Sequence, residues 1–318
     1  MTSVLITGGC GFIGSNLTEY LLTNTNWQII VLDNLSTGQL KDISELTDFN
    51  NRVKFIQGDI VNVADVSRAT KSCDYIINLA AQTSVIDSVN DPFKDEEVNI
   101  KGTLNLLKGA IENNVKVFIH ASSAAAVGVQ EMPMDENKIP KPISPYGASK
   151  LAGEAYCRVY SEIHALKGIV LRFSNVYGPK SYNKGSVIAK FMKQILKGES
   201  LEIYGDGNQT RDFIHVRDIC SAIYLSIIKG EPNFDLFQLG TGVETSINSL
   251  VEMLKEITES YHLKHFDVKH GKQRPGEIIY NYTDITKANQ KLGFTINCHL
   301  KKGLKETFEW FIKNENIQ

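Results

Sequence analysis

Apolar residues in the first half of the chain form short unbroken runs, separated by longer stretches in which they recur every three or four positions. The runs SVLITGG (3–9), QIIVLDN (28–34), VKFIQGDI (53–60), CDYIINLAA (73–81), VKVFIHASS (115–123) and KGIVLRFSNVYGP (167–179) read as strands. Between them, residues 12–24, 62–71, 95–114 and a segment starting near Tyr146 read as helices. Strands alternating with helical segments imply parallel pairing through crossover helices. Continuous apolar runs fit strands covered on both faces. The pattern predicts an α/β fold, a Rossmann-like doubly wound parallel sheet.

After Pro179 the rhythm changes. Residues 185–198 and 246–259 read as helices, and ESLEIYGDGNQTRDFIHV (199–216) as short strands around a Gly-Asp-Gly turn. We expect a smaller mixed α/β domain here. The segment 216–230 is apolar enough to be a helix that returns to the sheet. The expected division is a dinucleotide-binding domain over 1–178, with 214–243 packing back on it, and a substrate domain from 179–213 and 244–318.

Composition narrows the function classes. With 318 residues, 42% hydrophobic and 22% charged, the chain can bury a substantial core. A formal net charge of −2 offers no global field for nucleic acid or an anionic membrane. Cys10, Cys73, Cys157, Cys220 and Cys298 are scattered and odd in number, which argues against a disulfide framework or a zinc site. His262, His265 and His270 lie close in sequence but read as solvated, so no metal is expected. The N-terminal stretch has no basic region before its glycines, so neither a signal peptide nor a membrane span is expected, and the location expected is cytoplasmic.

The chemistry starts at TGGCGFIGSNL. Gly8, Gly11 and Gly14 lie between a strand and a helix. Glycine there permits a tight turn and close approach to a pyrophosphate, and the helix N-terminus offers free N–H groups. Asp33 closes the next strand, nineteen residues after Gly14. A carboxylate at that place accepts ribose hydroxyls and repels a 2′-phosphate, which favours NAD over NADP. Taken alone, Asp33 is also an ordinary turn residue of DNLSTG.

In SPYGASK, Tyr146 and Lys150 are four apart and share a helix face. By itself this is equally a proline-initiated helix with a solvated lysine. Beside a dinucleotide it becomes a proton-transfer pair. The ammonium and a nicotinamide cation are expected to lower the phenol's pKa toward working pH. Ser122 and Ser123 end a strand on the side where ligands bind in such sheets.

The motifs TGGCGFIG, DNLSTG, NLAA, SSAAAVG, YGASK, RFSNVYGP, YGDGNQTRDFIHV and RPGE together resemble the extended short-chain dehydrogenase/reductase superfamily, particularly its nucleotide-sugar 4-epimerases. The resemblance implies that Gly8, Gly11, Phe12, Ile13 and Gly14 cradle the NAD pyrophosphate. It places Asp33, Asn34, Ser36 and Gly38 at the adenosine side, Asp59 and Ile60 at the adenine, and Ala80 and Ala81 along the channel. Asn99 and Ser122 support the cofactor, Lys150 binds the nicotinamide ribose, and Tyr146 with Ser123 is catalytic. Ser84, Ser123, Tyr146, Asn175, Arg211, Arg274, Glu277 and Asn281 fall to the substrate. The two arginines match residues that grip a diphosphate, for which a planar fork is suited.

Four positions refine this picture. Related 4,6-dehydratases carry an Asp-Glu pair after the catalytic threonine, whereas this chain has Ala124 and Ala125. Val127 stands where the resembling sequences usually have a tyrosine. Asn281 occupies a position whose size gates N-acetylated sugars in such epimerases. The function expected is therefore NAD-dependent 4-epimerisation of UDP-glucose/UDP-galactose, with UDP-GlcNAc/UDP-GalNAc as further substrates, through a 4-keto sugar. A reductase, dehydrogenase or dehydratase of the same superfamily is the alternative, and a nonenzymatic NAD-binding regulatory module the second. The helices near 95–114 and 149–166 resemble those that build a homodimer in this superfamily.

Overall fold

The computed structural model describes residues 2–46, 49–164, 166–231, 233–263, 265–272 and 279–314. Its strands are β1 (Ser3–Thr7), β2 (Gln28–Asp33), β3 (Val53–Gln57), β4 (Tyr75–Asn78), β5 (Val117–Ser123) and β6 (Lys167–Phe173). They are followed by β7 (Asn175–Tyr177), β8 (Leu201–Tyr204), β9 (Thr210–Arg211), β10 (Phe213–His215), β11 (Asp235–Leu239), β12 (Thr245–Ser246) and β13 (Val268–Gly271). Seven of them make one sheet in the order β11-β6-β5-β4-β1-β2-β3, parallel throughout. The order reverses between β1 and β4, the switch point at which such sheets open a ligand crevice.

The apolar runs explain the layers. Along β1, Val4 and Ile6 enter one buried cluster and Leu5 enters the cluster on the opposite face. Successive side chains of a strand point to opposite faces, so both faces must be covered. Helices Phe12–Asn24 and Val216–Lys229 close one side, with Leu17, Leu21, Ile219 and Ile223 buried there. Helices Val63–Thr70 and Gly102–Glu112 close the other, through Val66, Leu106 and Leu107. The segment that leaves after Pro179 returns through Val216–Lys229 and adds β11 to the edge of the sheet beside β6. A second cluster gathers Phe191, Met192, Leu250, Leu254, Phe308 and Phe311 from helices Val187–Leu196, Ile247–Ser260 and Leu300–Lys313. Among the described residues, no helix is long and apolar enough to cross a membrane.

Helix Pro145–His164 has proline at its first position, where a missing N–H costs nothing. It packs against β5 and β6 through an ion pair inside the protein. Arg172 Nε and Nη2 donate to Glu154 Oε1 and Oε2 at 2.8 and 2.6 Å, and both side chains are about 95% buried. The Ser122 hydroxyl donates to Glu154 Oε1 at 2.5 Å. Removing one partner of such a pair leaves the other charged and desolvated. Glu154→Ala is expected to lower the unfolding free energy by about 3 to 5 kcal/mol, read as a shifted urea midpoint. A shift no larger than that of an exposed Glu→Ala control contradicts the assignment.

Candidate active site

Because the sheet is parallel, the carboxyl ends of β1, β2, β4 and β5 lie on one edge, and each delivers a candidate group there. After β1 the chain turns at Gly8, whose φ is +67°. A Cβ on Gly8 would lie 2.8 Å from the Ala80 nitrogen, and one on Gly14 2.3 Å from the Gly8 oxygen. Neither neighbour can move aside, because both are backbone. Gly11 is the residue before helix Phe12–Asn24, and no side chain caps that helix. Its first N–H groups are thereby left for an outside acceptor at the positive end of the dipole.

Asp33 holds this loop. Its Oδ2 accepts from the Cys10 N–H at 2.9 Å and its Oδ1 from the Leu35 N–H at 2.8 Å. Asn34 donates to Asp59 Oδ2 at 2.9 Å and accepts from the Ser36 N–H. Gly38 lies against Cys10, where a Cβ would come within 2.5 Å of its backbone. Ile60 is buried against Gly102. The Ala80 N–H donates to Thr7 Oγ1 at 3.2 Å, and Ala81, like Ala80, is half-buried on the same edge. Gly14 and Ala80 thus lie against Gly8, Asp33 and Gly38 against Cys10, and Asn34 against Asp59, while Phe12 and Ile13 open the helix after the turn. These features fit a dinucleotide: the glycines leave room that any side chain would fill, and an acid stands at the ribose end.

At the end of β5, Ser123 accepts from the Ala125 N–H at 3.2 Å, in a short turn Ala124–Ala126. Ser122 points the other way, into its bond with Glu154, so its hydroxyl is committed away from the cofactor expected there. Tyr146 and Lys150 occupy one face of helix Pro145–His164, with the Lys150 Nζ 5.9 Å from the Tyr146 ring centroid. That ammonium donates to the Ala121 carbonyl at 2.9 Å and is almost wholly buried.

Burial sets the charges. It pushes the Tyr146 phenol up to about 12, with a hydrogen bond from the Ser123 side chain acting downward and Asp95 adding to the rise. The expectation that Lys150 and a nicotinamide cation together lower this phenol concerns the cofactor-bound protein, whereas in the protein alone burial raises it. Burial also lowers Lys150 to about 8, opposed by the negative charges of Asp95 and Glu154. A phenol of this kind becomes a usable base only when further positive charge arrives beside it.

Asn99 sits where the helical chain widens into a π turn, Glu97–Lys101. Its amide donates to the Gln82 carbonyl, to Asp95 Oδ1 and to Ser149 Oγ at 3.0, 3.0 and 3.1 Å, while its oxygen accepts from the Gln82 N–H. Such turns are frequent at functional sites. The sequence analysis missed Asp95, although its spacing to Asn99, one helical turn, was visible. It also missed the chain Thr7–Asn78–Thr103, which links the glycine loop to that turn through bonds of 2.8 and 3.1 Å.

The residues expected at the substrate are less gathered. Ser84 caps helix Val85–Asn90 by accepting from the Asp87 N–H. The Asn175 N–H donates to the Asp212 carbonyl at 3.0 Å, where β7 meets the turn before β10. Arg211 Nη1 donates to the Thr210 carbonyl at 2.7 Å. The Asn281 N–H donates to Thr210 Oγ1 at 3.4 Å, and its side chain is buried, with Oδ1 meeting no partner among the described residues. Arg211 and Asn281 therefore meet at β9. Arg274 and Glu277 lie outside the described residues. Val127 is fully buried, with no hydroxyl to reach a ligand. Of the three histidines, His270 Nδ1 lies 2.8 Å from the Gly205 carbonyl oxygen and His265 lies 3.9 Å from Glu259.

A doubly wound sheet with a glycine turn before a helix, an acid closing the second strand and a Ser-Tyr-Lys group at the end of β5 is the arrangement of an enzyme of the short-chain dehydrogenase/reductase kind. The chain belongs to the NAD dependent epimerase/dehydratase family, whose model matches residues 4–240. A putative UDP-glucose 4-epimerase of Methanocaldococcus jannaschii is 37% identical over 318 residues, 98% of this chain and 99% of its own. The structure of UDP-glucose 4-epimerase from Thermotoga maritima with UDP-glucose matches with a TM-score of 0.90 at 37% identity, covering 99% of this chain and all of that one. A dTDP-glucose 4,6-dehydratase of Streptomyces niveus is 31% identical over 98% of this chain and 93% of its own. NAD is thus the cofactor.

Gly14→Ala forces backbone atoms apart in the cradle. Its affinity for NAD is expected to fall roughly tenfold or more, measured by titration calorimetry. Wild-type affinity in that variant would remove the glycine loop from the cofactor site.

Proposed function

We propose that this protein is an NAD-dependent UDP-sugar 4-epimerase that interconverts UDP-glucose and UDP-galactose, with N-acetylated counterparts as further substrates. One observation supports it over the family's other reactions. Ser123, Tyr146 and Lys150 converge at the end of β5, and the turn that follows Ser123 carries only the methyl groups of Ala124 and Ala125. Elimination of water needs a second acid and base beside the reacting carbon. Reversible oxidation at one carbon does not.

When bound, NAD supplies reversible hydride acceptance. The chain's own residues handle the proton and the placement. Tyr146 takes the proton of the sugar 4-hydroxyl and later returns it, and Ser123 holds the same oxygen by a hydrogen bond. Lys150 supplies positive charge beside the phenol. A bound nicotinamide cation would add to that charge, which opposes the desolvation that raises Tyr146. Arg211 and Arg274 anchor the diphosphate while the keto sugar turns over, so remote binding energy keeps the reacting carbon within reach. Asn281 leaves space for an acetamido group. The substrate half of the site belongs to 179–213 and 244–318.

Purified protein incubated with UDP-glucose is expected to form UDP-galactose without added NAD, because the cofactor returns to its starting state each cycle. Tyr146→Phe is expected to lose at least about a hundredfold in turnover while retaining its NAD. Release of stoichiometric NADH, or a fully active Phe variant, contradicts the reading. Lys150 is held below its ordinary value, near 8, so its charge is present below that pH and lost above it. Turnover is accordingly expected to decline as pH rises through about 8.

We also infer a homodimer. Val159 and Ile163 are exposed on helix Pro145–His164, and Val85, Ile86, Val89 and Phe93 on the short helices before Glu97, Phe93 being 83% exposed. A helical surface this apolar fits a self-complementary contact. Sedimentation of the wild type at twice the chain mass, and of Phe93→Glu at a lower mass, is the expected result. A monomeric wild type overturns it.

A further inference from the structure

Lys150 is a buried ammonium whose hydrogen-bond partner is a carbonyl, not an acid. A buried charge without an opposite charge is costly, so the acids near it decide its state. Four titratable groups face it: Tyr146 and Glu154 on its own helix, His120 on β5, and Asp95 on the helix Pro92–Glu96. His120 is buried and held neutral, its imidazole pushed well below the ordinary range first by burial and then by Lys150 itself. Glu154 is engaged elsewhere, both its oxygens bonded by Arg172 and one also by Ser122, and its charge acts on Lys150 less than that of Asp95. Asp95 remains.

Asp95 is 1% exposed, which is unusual for a carboxylate with no cation in contact. Among the described residues it makes no ion pair within 4 Å, and it accepts from one side chain, the Asn99 amide at 3.0 Å. The same amide nitrogen reaches Ser149 Oγ at 3.1 Å, on the residue before Lys150, and Ser149 donates to the Tyr146 carbonyl at 3.1 Å. The helix of Asp95 and the π turn of Asn99 both pack against the helix of Tyr146 and Lys150. The bridge Asp95–Asn99–Ser149 therefore ties the carboxylate to the helix that carries Tyr146 and Lys150, through the residue next to Lys150.

We propose that Asp95 is a positioning residue of the epimerase reaction, the counter-ion that keeps Lys150 charged beside Tyr146, held in place by Asn99. This rests on the functional reading above and adds a group to it. Asp95 touches neither sugar nor cofactor and acts through Lys150. Its charge also raises the phenol, a cost to Tyr146 that added positive charge must offset.

The test compares wild type, Asp95→Asn and Asp95→Glu in the NAD-bound enzyme over about pH 6 to about pH 10, reading kcat and KM separately. Asp95→Asn is expected to move the alkaline limb of kcat about one pH unit toward acid, with KM little changed. Asp95→Glu, which keeps the charge, is expected to restore most of the shift. Loss of activity equal at every pH, with the limb unmoved, overturns the proposal and leaves Asp95 a packing residue. If Asp95→Asn does not fold, Asp95→Ser makes the same measurement. NMR of 13Cε-lysine protein, with Lys150→Met assigning the signal, follows the titration without substrate. Should wild type fail to epimerise, the functional reading fails, while an unshifted Lys150 titration in Asp95→Asn sinks the role of Asp95 alone.

Discussion

Desolvation at the end of β5 is the constraint on which the site depends. The same burial raises the Tyr146 phenol and lowers the Lys150 ammonium, so both are driven toward their neutral forms in the protein alone. Neutral phenol is a poor base, and a neutral amine gives it no help. The arrangement becomes reactive only when positive charge is added and water kept out, which is what a bound nicotinamide cation does. In the proposed reaction, cofactor and proton-transfer pair would thus be electrostatically coupled. This coupling suits a reaction in which the cofactor stays in place between turnovers.

The fold makes that coupling possible by delivering parts from distant stretches to one edge. The Gly8 turn, Asp33, Ala80 and Ser123 stand at the ends of β1, β2, β4 and β5, and parallel strands put all of these ends on the same side. Behind them runs a second layer of polar contacts. Thr7, Asn78 and Thr103 tie the glycine loop to the π turn of Asn99, and Asn99 ties that turn to Ser149. Glu154, Arg172 and Ser122 form a closed unit beneath Lys150. Buried polar groups of this sort are tolerable only when partnered, and each partner then fixes a neighbour's position.

Much of this was legible. Helix Phe12–Asn24 coincides with the segment read from apolar spacing, since Leu17, Leu21 and Leu22 repeat at helical intervals toward the sheet. Strands β1 to β6 fall within their apolar runs because each is covered on both faces. The Tyr146–Lys150 pair was visible because four residues make one helical turn. Ser122 and Ser123 were not separable in the same way. Adjacent residues on a strand face opposite directions, and the sequence does not say which faces the ligand. In the fold, Ser122 turns to Glu154 and Ser123 toward Tyr146. Asp95 was passed over because one acid in the charged run Lys94-Asp95-Glu96-Glu97 looks like solvated surface.

What the sequence determined alone is therefore the class: alternating apolar periods demand a covered parallel sheet, and glycines between a strand and a helix permit the close approach of an anion. Those are local rules, satisfied within a few residues of each position. What only the tertiary structure decided is the state of the reactive groups. Whether Tyr146 and Lys150 are charged follows from how much water the surrounding elements exclude and which acids remain unpaired near them. Asp95, Glu154 and Arg172 reach that neighbourhood from three different elements, and no local pattern encodes the distance between them.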